Sequence, residues 1–171
     1  MTSQTHTDRD STEHGTFVVE WTYPVSPDRV FAAFEHPATK LRWSVEAKAG
    51  EVREHTLDFT VGGQEMTRFQ FGGGAEITSH STFQDIVRDK RIVWAFRMSL
   101  GSRPASAALS TVHPRPERGR DHSHLHRARC DPGGMHSLTI AEQGTGVLLQ
   151  RLGEKLARWE VGLWPCSEST R

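Results

Sequence analysis

Half of the chain's histidines fall in one short stretch. Of ten, five lie between His113 and His136: His113, His122, His124, His126 and His136. His122, His124 and His126 alternate, and on a strand alternation puts three side chains on one face. Three imidazoles with the Cys130 thiol close behind have the donor chemistry of a zinc or copper site. The same stretch carries Arg115, Arg118, Arg120, Arg127 and Arg129, which would suit phosphates. Elsewhere Glu35, His36 and His55 have acid–base chemistry, although a solvated helix end and a loop explain them as well. Asp58, Glu65, Glu76 and Arg97 are inward candidates on strands, where a one-residue slip reverses every side chain. There is no Gly-x-Ser-x-Gly, and neither Cys130 nor Cys166 has a catalytic partner evident in the sequence. Gly72-Gly73-Gly74 lacks the Lys-Ser/Thr of a phosphate loop and reads as a turn.

These residues need elements to hold them. Phe17, Val19 and Trp21 alternate with Val18, Glu20 and Thr22, a half-buried strand. Ser26-Pro27 opens a helix with Val30, Phe31 and Phe34 on its apolar face, and His36-Pro37 stops it. A helical turn over 38–43 follows. From 52 to 112 the pattern is β: runs over 56–61, 66–71, 75–87, 91–100 and 105–112, separated by Gly62-Gly63, Gly72-Gly73-Gly74, Arg88-Asp89-Lys90 and Gly101-Ser102. Connections this short imply an antiparallel meander. From Gly146, Leu148, Leu149, Leu152, Leu156, Trp159 and Leu163 recur at helical spacing until Pro165. Strand, helices, strands and a long helix make an α+β chain with an antiparallel sheet packed on helices. The aromatics Phe59, Phe69, Phe71, Phe83, Trp94 and Phe96 meet the helix's leucines. They fill a core or line a ligand cavity, and the pattern leaves both readings open.

Composition narrows the class. A chain of 171 residues is one domain with a real core. Lys+Arg and Asp+Glu number 21 each, so no overall field favours nucleic acid or an anionic membrane. No apolar run approaches the roughly 18 residues of a membrane span. Residues 1–14 read as a polar, disordered leader without a secretory signal, 15–164 as the domain and 165–171 as a polar tail. Two cysteines make no disulfide framework, so a cytoplasmic setting is expected.

Several segments resemble one family. Phe17-Val-Val-Glu-Trp-Thr-Tyr-Pro-Val-Ser-Pro-Asp-Arg-Val-Phe-Ala-Ala-Phe-Glu-His-Pro37 is similar to the opening of the Hsp90-ATPase-activator-homologue-like branch of the START/Bet v 1 (SRPBCC) superfamily. Trp43, Asp58-Phe-Thr-Val-Gly-Gly63, Phe83-Gln-Asp-Ile-Val-Arg-Asp-Lys-Arg-Ile-Val-Trp94 and Glu142-Gln-Gly-Thr-Gly146 follow in the family's order. The resemblance covers 16–112 and 137–160. It implies a helix-grip fold: seven antiparallel strands curled around a long C-terminal helix, with a hydrophobic cavity between. The short leader likens the chain to small single-domain members.

Residues 113–136 do not fit. Where the family has a strand reading roughly Thr-x-Leu-x-Phe-Thr-Glu-Gln-Gly, this stretch holds three prolines, three glycines and five arginines. Give Asp121 to Cys130 the codons GAC-CAC-TCT-CAC-CTT-CAC-AGA-GCA-AGG-TGC. Read one base later, they spell Thr-Thr-Leu-Thr-Phe-Thr-Glu-Gln-Gly and then Ala. On this reading 113–136 is a frameshifted stretch with a compensating shift near 133–137. An inserted loop and a metal or nucleic-acid site are the alternatives. Such a composition makes a poor strand, so one strand is expected to be disrupted, with an exposed edge and lowered stability.

The resulting expectation is a cytoplasmic helix-grip domain that binds a small hydrophobic molecule. The residues expected to line its cavity are Phe31, Trp43, Phe59, Phe69, Phe71, Phe83, Trp94, Phe96, Leu149 and Leu152. No catalytic residue, metal, cofactor, nucleic acid or membrane is assigned. A cyclase- or hydrolase-like enzyme using the same cavity is the alternative, and a co-chaperone-like, partner-binding domain is a third reading. The coding DNA tests the double-frame reading. Codons that spell the Thr-rich strand one base later are expected, and any codon set that cannot do so overturns it.

Overall fold

The computed structural model describes residues 13–45, 50–117, 120–131 and 138–159, with backbone alone at 13, 115–117, 120–131, 138, 140 and 159. The order is β1 (Glu13–Tyr23), α1 (Pro27–Glu35), α2 (Pro37–Ser44), β2 (Glu51–Leu57), β3 (Gln64–Gln70), β4 (Ile77–Val87), β5 (Arg91–Leu100), β6 (Arg103–Glu117), β7 (Arg120–Asp131) and α3 (Leu138–Trp159). One antiparallel sheet runs β1-β7-β6-β5-β4-β3-β2. This is the helix-grip α+β fold, with the helices on one face of the sheet.

Sequence patterning explains the elements. On β1, Phe17 and Tyr23 are buried and Val19 and Trp21 half-buried, while Val18, Glu20 and Thr22 face out. Ser26 takes the N-cap position of α1, but its hydroxyl makes no capping bond. Its carbonyl accepts from the Arg29 amide at 3.0 Å instead. The α1 face of Val30, Phe31, Ala33 and Phe34 is buried as its spacing demands. The tight turns hold left-handed residues, with φ 83° at Gly62 and 58° at Asp89. The inner face of the sheet is closed by α3, through Leu149, Leu152 and Leu156. Tyr23, fully buried, donates its hydroxyl to the Leu149 carbonyl at 3.0 Å and ties β1 to that helix. Burial without a charged partner pushes the Tyr23 phenol well above its usual range.

Four expectations change. First, β2 ends at Leu57, so Val61 lies beyond it in the turn and is 62% exposed. Second, α3 starts at Leu138, eight residues before Gly146. Ala141, Thr145, Leu149, Leu152 and Leu156 are all buried at three- and four-residue spacing, and that packing overrides the poor helix propensity of Gly144 and Gly146. Third, β1 begins at Glu13, within the expected leader, because Glu13 and His14 pair with Asp131 and Cys130.

The fourth concerns the strand expected to be disrupted. It is present: β7 pairs from Arg120 to Asp131 with β1 on one side and from Arg120 to Cys130 with β6 on the other. A ladder is made by backbone amides and carbonyls, which this composition retains. The prolines are tolerated by position. The pairing of β5 with β6 ends at Ile92 and Val112, whereas β6 runs on with β7 to Glu117. Pro114 and Pro116 therefore sit where β6 has one neighbour and a missing N–H need not break a ladder. Residues 1–12, 46–49, 118–119, 132–137 and 160–171, with the expected leader, tail and Leu163, lie outside the described residues.

The glycines of α3 give a test. A Cβ on Gly153 would stand 3.2 Å from two ring carbons of buried Tyr23, whereas at Gly144 and Gly146 nothing lies within 4 Å. Gly144→Ala and Gly146→Ala should each stabilise by about 0.5–1 kcal/mol through helix propensity. Gly153→Val should destabilise by about 1–3 kcal/mol through overpacking. Thermal unfolding midpoints that rank the three variants otherwise would refute this packing.

Candidate functional site

Charged side chains are rare inside a domain and expensive there. Three ionisable groups meet at the inner face, beneath α2. Thr39, Lys40 and Trp43 are buried on one side of that short helix, which directs Lys40 inward. On β3, alternation buries Glu65 and Thr67 and turns Arg68 out. On β2, His55 pairs with Thr67, so Glu65 is its diagonal neighbour, within reach of a long side chain. The Lys40 ammonium donates to Glu65 Oε2, and His55 Nε2 lies 3.2 Å from Glu65 Oε1. The side chains of Lys40, Glu65 and His55 are 11%, 10% and 6% exposed. The His55 nitrogen must donate here, because an ionised carboxylate only accepts.

Aromatic rings surround the cluster. Lys40 Nζ is 5.5 Å from the ring centre of Phe83 and 5.9 Å from that of Trp94, both within cation–π reach. Burial pushes the Glu65 carboxyl up. The Lys40 charge and the hydrogen bonds from His55 and Lys40 outweigh it and hold the carboxyl below the usual carboxylate range.

The residues expected to line a cavity separate into three sets. Phe31, Trp43, Phe83, Trp94, Leu149 and Leu152 are buried in the main core, and Phe59 and Phe96 are half-buried against it. Phe59 bridges α1 and the sheet, edge-to-face with Phe31 at 5.6 Å and Phe83 at 4.9 Å. Trp43 packs on Phe34 at 5.0 Å and donates its indole N–H to the Ala33 carbonyl at 3.0 Å. Phe69 and Phe71 are half-buried and form their own edge-to-face pair at 5.3 Å.

Of the polar candidates, Glu65 and His55 come together inside, and the others do not. Asp58 is exposed in the turn, where it accepts from Thr60 Oγ1 at 2.8 Å. Glu76 accepts from Nε and Nη2 of outward-facing Arg68, and Arg97 is exposed on the outer face of β5. Glu35 and His36 line an open surface cleft of about 530 Å³ with Asp28, Arg29, Ala32 and Arg88, and Glu35 pairs with Arg88 at 3.3 Å. Lys40 was not among the candidates. Its signal is a helical one: three residues before Trp43, it shares that residue's face.

The cluster makes stability depend on pH. Glu65 has a folded pKa below its ordinary value of 4.5, so it contributes stability above that value. The contribution is lost as pH falls through the folded value. Comparing thermal midpoints of the parent and Glu65→Gln from pH 7 to 3, the gap between them should narrow below about pH 4.5. A gap independent of pH would contradict the assignment.

The helix-grip arrangement and its motifs are shared with known proteins. The family model described as Activator of Hsp90 ATPase homolog 1-like protein matches residues 24–157. No curated protein matches. A solved structure from Rhizobium loti is 42% identical, covers 85% of this chain and 99% of its own, and superposes with a TM-score of 0.78. One from Rhizobium leguminosarum is 30% identical, with coverages of 86% and 97% and a TM-score of 0.82. DynU16, a protein in the dynemicin biosynthetic locus, is 16% identical over 83% of this chain and 47% of its own, with a TM-score of 0.61, and shares the fold. Among the described residues no helix is long and apolar enough to cross a membrane. By family model, motif order and fold, the chain belongs to the Hsp90-ATPase-activator-homologue-1-like family of the START/Bet v 1 (SRPBCC) superfamily.

Proposed function

We propose that this domain binds a small, largely apolar molecule between the inner sheet face and α3, and that Lys40 orients it through an acceptor oxygen. The carrying observation is the buried Lys40–Glu65–His55 cluster set among aromatic rings. A buried ion pair is weak evidence for stability, since apolar residues of equal volume often do as well. Orienting a ligand gives the cluster a reason to be there. An ammonium has three donors and Glu65 uses one or two, which leaves capacity for a carbonyl, phenol or carboxylate oxygen. The inner positions Ser79, Ser81, Ser106, Ala108 and Ser110 are small, which suits a ligand against that face.

The contact between His55 and Glu65 favours a second reading, a cyclase- or hydrolase-like enzyme with an acid–base pair. A carboxylate held below its usual range is a poor base, which weighs toward orientation rather than proton abstraction.

Native mass spectrometry and thermal shift with fatty acids, naphthols and matched hydrocarbons test this. An oxygenated ligand at about 100 times its Kd should raise the midpoint by about 5 °C or more. Lys40→Met should weaken that ligand about tenfold or more, as loss of a charge-assisted hydrogen bond does, and leave the hydrocarbon unchanged. If no apolar probe binds the parent, the reading is wrong. A bound probe that changes mass identifies the enzyme.

A further inference from the structure

The inner face of the sheet carries hydroxyls as well as rings, and the register sets them beside the Lys40–Glu65–His55 cluster. One row crosses five strands: His55 on β2, Thr67 on β3, Ser79 on β4, Met98 on β5 and Ser106 on β6. The next row holds Leu57, Glu65, Ser81, Phe96 and Ala108. Thr67, Ser81 and Ser106 are only 6%, 7% and 3% exposed. Among the described residues nothing hydrogen-bonds their hydroxyls. Buried hydroxyls normally find a partner, and facing Thr and Ser on neighbouring strands commonly bond to each other. Thr67 and Ser79 face each other without doing so. Residues that served only to leave room would be alanine or valine, since apolar groups of the same shape leave no hydroxyl unsatisfied.

We infer, on the reading that Lys40 orients a ligand oxygen on this face, that Thr67, Ser81 and Ser106 determine specificity and that the ligand is a flat ring system with several oxygens at its rim. Neighbouring strands are about 4.8 Å apart, so Thr67 and Ser79 stand one strand spacing apart and Ser79 and Ser106 two. Polar groups at one and two such spacings fit the rim of two or three fused rings. Between them Phe96 and Met98 offer an apolar floor to the ring faces. Each hydroxyl both donates and accepts, so phenols and ring carbonyls are served alike. An alkyl chain laid along the same rows would cover the hydroxyls without pairing them. A site whose buried polar groups are left unpaired by a ligand discriminates against it.

Calorimetric dissociation constants of the full chain for naphthalene, a naphthol, a dihydroxynaphthalene and dodecanoate test this. The dihydroxynaphthalene should bind the parent about fivefold tighter than the naphthol, as an added hydrogen bond to a buried group allows, and tighter than dodecanoate. A triple variant, Thr67→Val with Ser81→Ala and Ser106→Ala, should erase the margin over the naphthol and bind naphthalene at least as tightly as the parent does. Without ligand its melting midpoint should equal or exceed the parent's, because no hydrogen bond within the protein is lost. A lower midpoint means that the hydroxyls hold the fold, and overturns the inference. A dihydroxynaphthalene that binds the parent no tighter than the naphthol means that water alone satisfies the hydroxyls. That result overturns the specificity role and leaves the Lys40 reading standing. Dodecanoate binding as tightly as the dihydroxynaphthalene overturns the ligand class. If no probe binds the parent, both readings fall.

Discussion

A side chain on an antiparallel strand has two places to go, and the register across seven strands decides which. One face of this sheet is covered by α1, α2 and α3, and the other meets solvent. Every strand residue is thereby committed to core or surface, and a slip of one residue would exchange the two sets. The bonds that hold the register are backbone bonds, while the apolar inner set gives the reason to prefer it. Tyr23 joins the two: it ends β1 on the inner side, is fully buried and hydrogen-bonds to α3. Gly153 permits that approach, because a Cβ there would meet the Tyr23 ring.

The same sorting sets the energetics of the polar cluster. Lys40, His55 and Glu65 come from three consecutive elements, α2, β2 and β3, and each is turned inward by its own periodicity. Removing one partner from such a buried set strands the others, at a cost of about 3–5 kcal/mol in comparable cases. Each member holds the next, and the rings of Phe83 and Trp94 stand within cation–π reach of the ammonium.

Much of this could be read from the residues. Alternation in 17–22 and 91–100 gave strands with the right faces, and Ser26-Pro27 and His36-Pro37 bounded α1. The double-glycine and triple-glycine turns fell where the chain reverses. The site was legible only in part. Glu65 stood beside Asp58, Glu76 and Arg97, and nothing local separates an inward carboxylate from three outward charges before the register is known. His55 looked like a loop residue because β2 carries few apolar side chains. Lys40 escaped because α2 has only eight residues, too few for a stripe to show. The start of α3 was missed because Gly144 and Gly146 argue against a helix locally, while the packing that overrules them is tertiary.

The strand least expected from its composition shows what register adds. The inner face of β7 falls at odd positions, since Leu125 faces Val112 on β6 and Val19 on β1, both partners buried or half-buried. As the chain stands, Arg127 and Arg129 share that face, opposite Ser110 and Ala108. Charges are costly at such positions. In the alternative frame, position 123 becomes Leu and position 125 Phe, both at inner-face positions, threonines take 122, 124 and 126, and position 127 becomes Glu, so one inner-face position stays charged. Backbone amides and carbonyls pair β7 with both neighbours, so the strand forms whichever of these residues it carries.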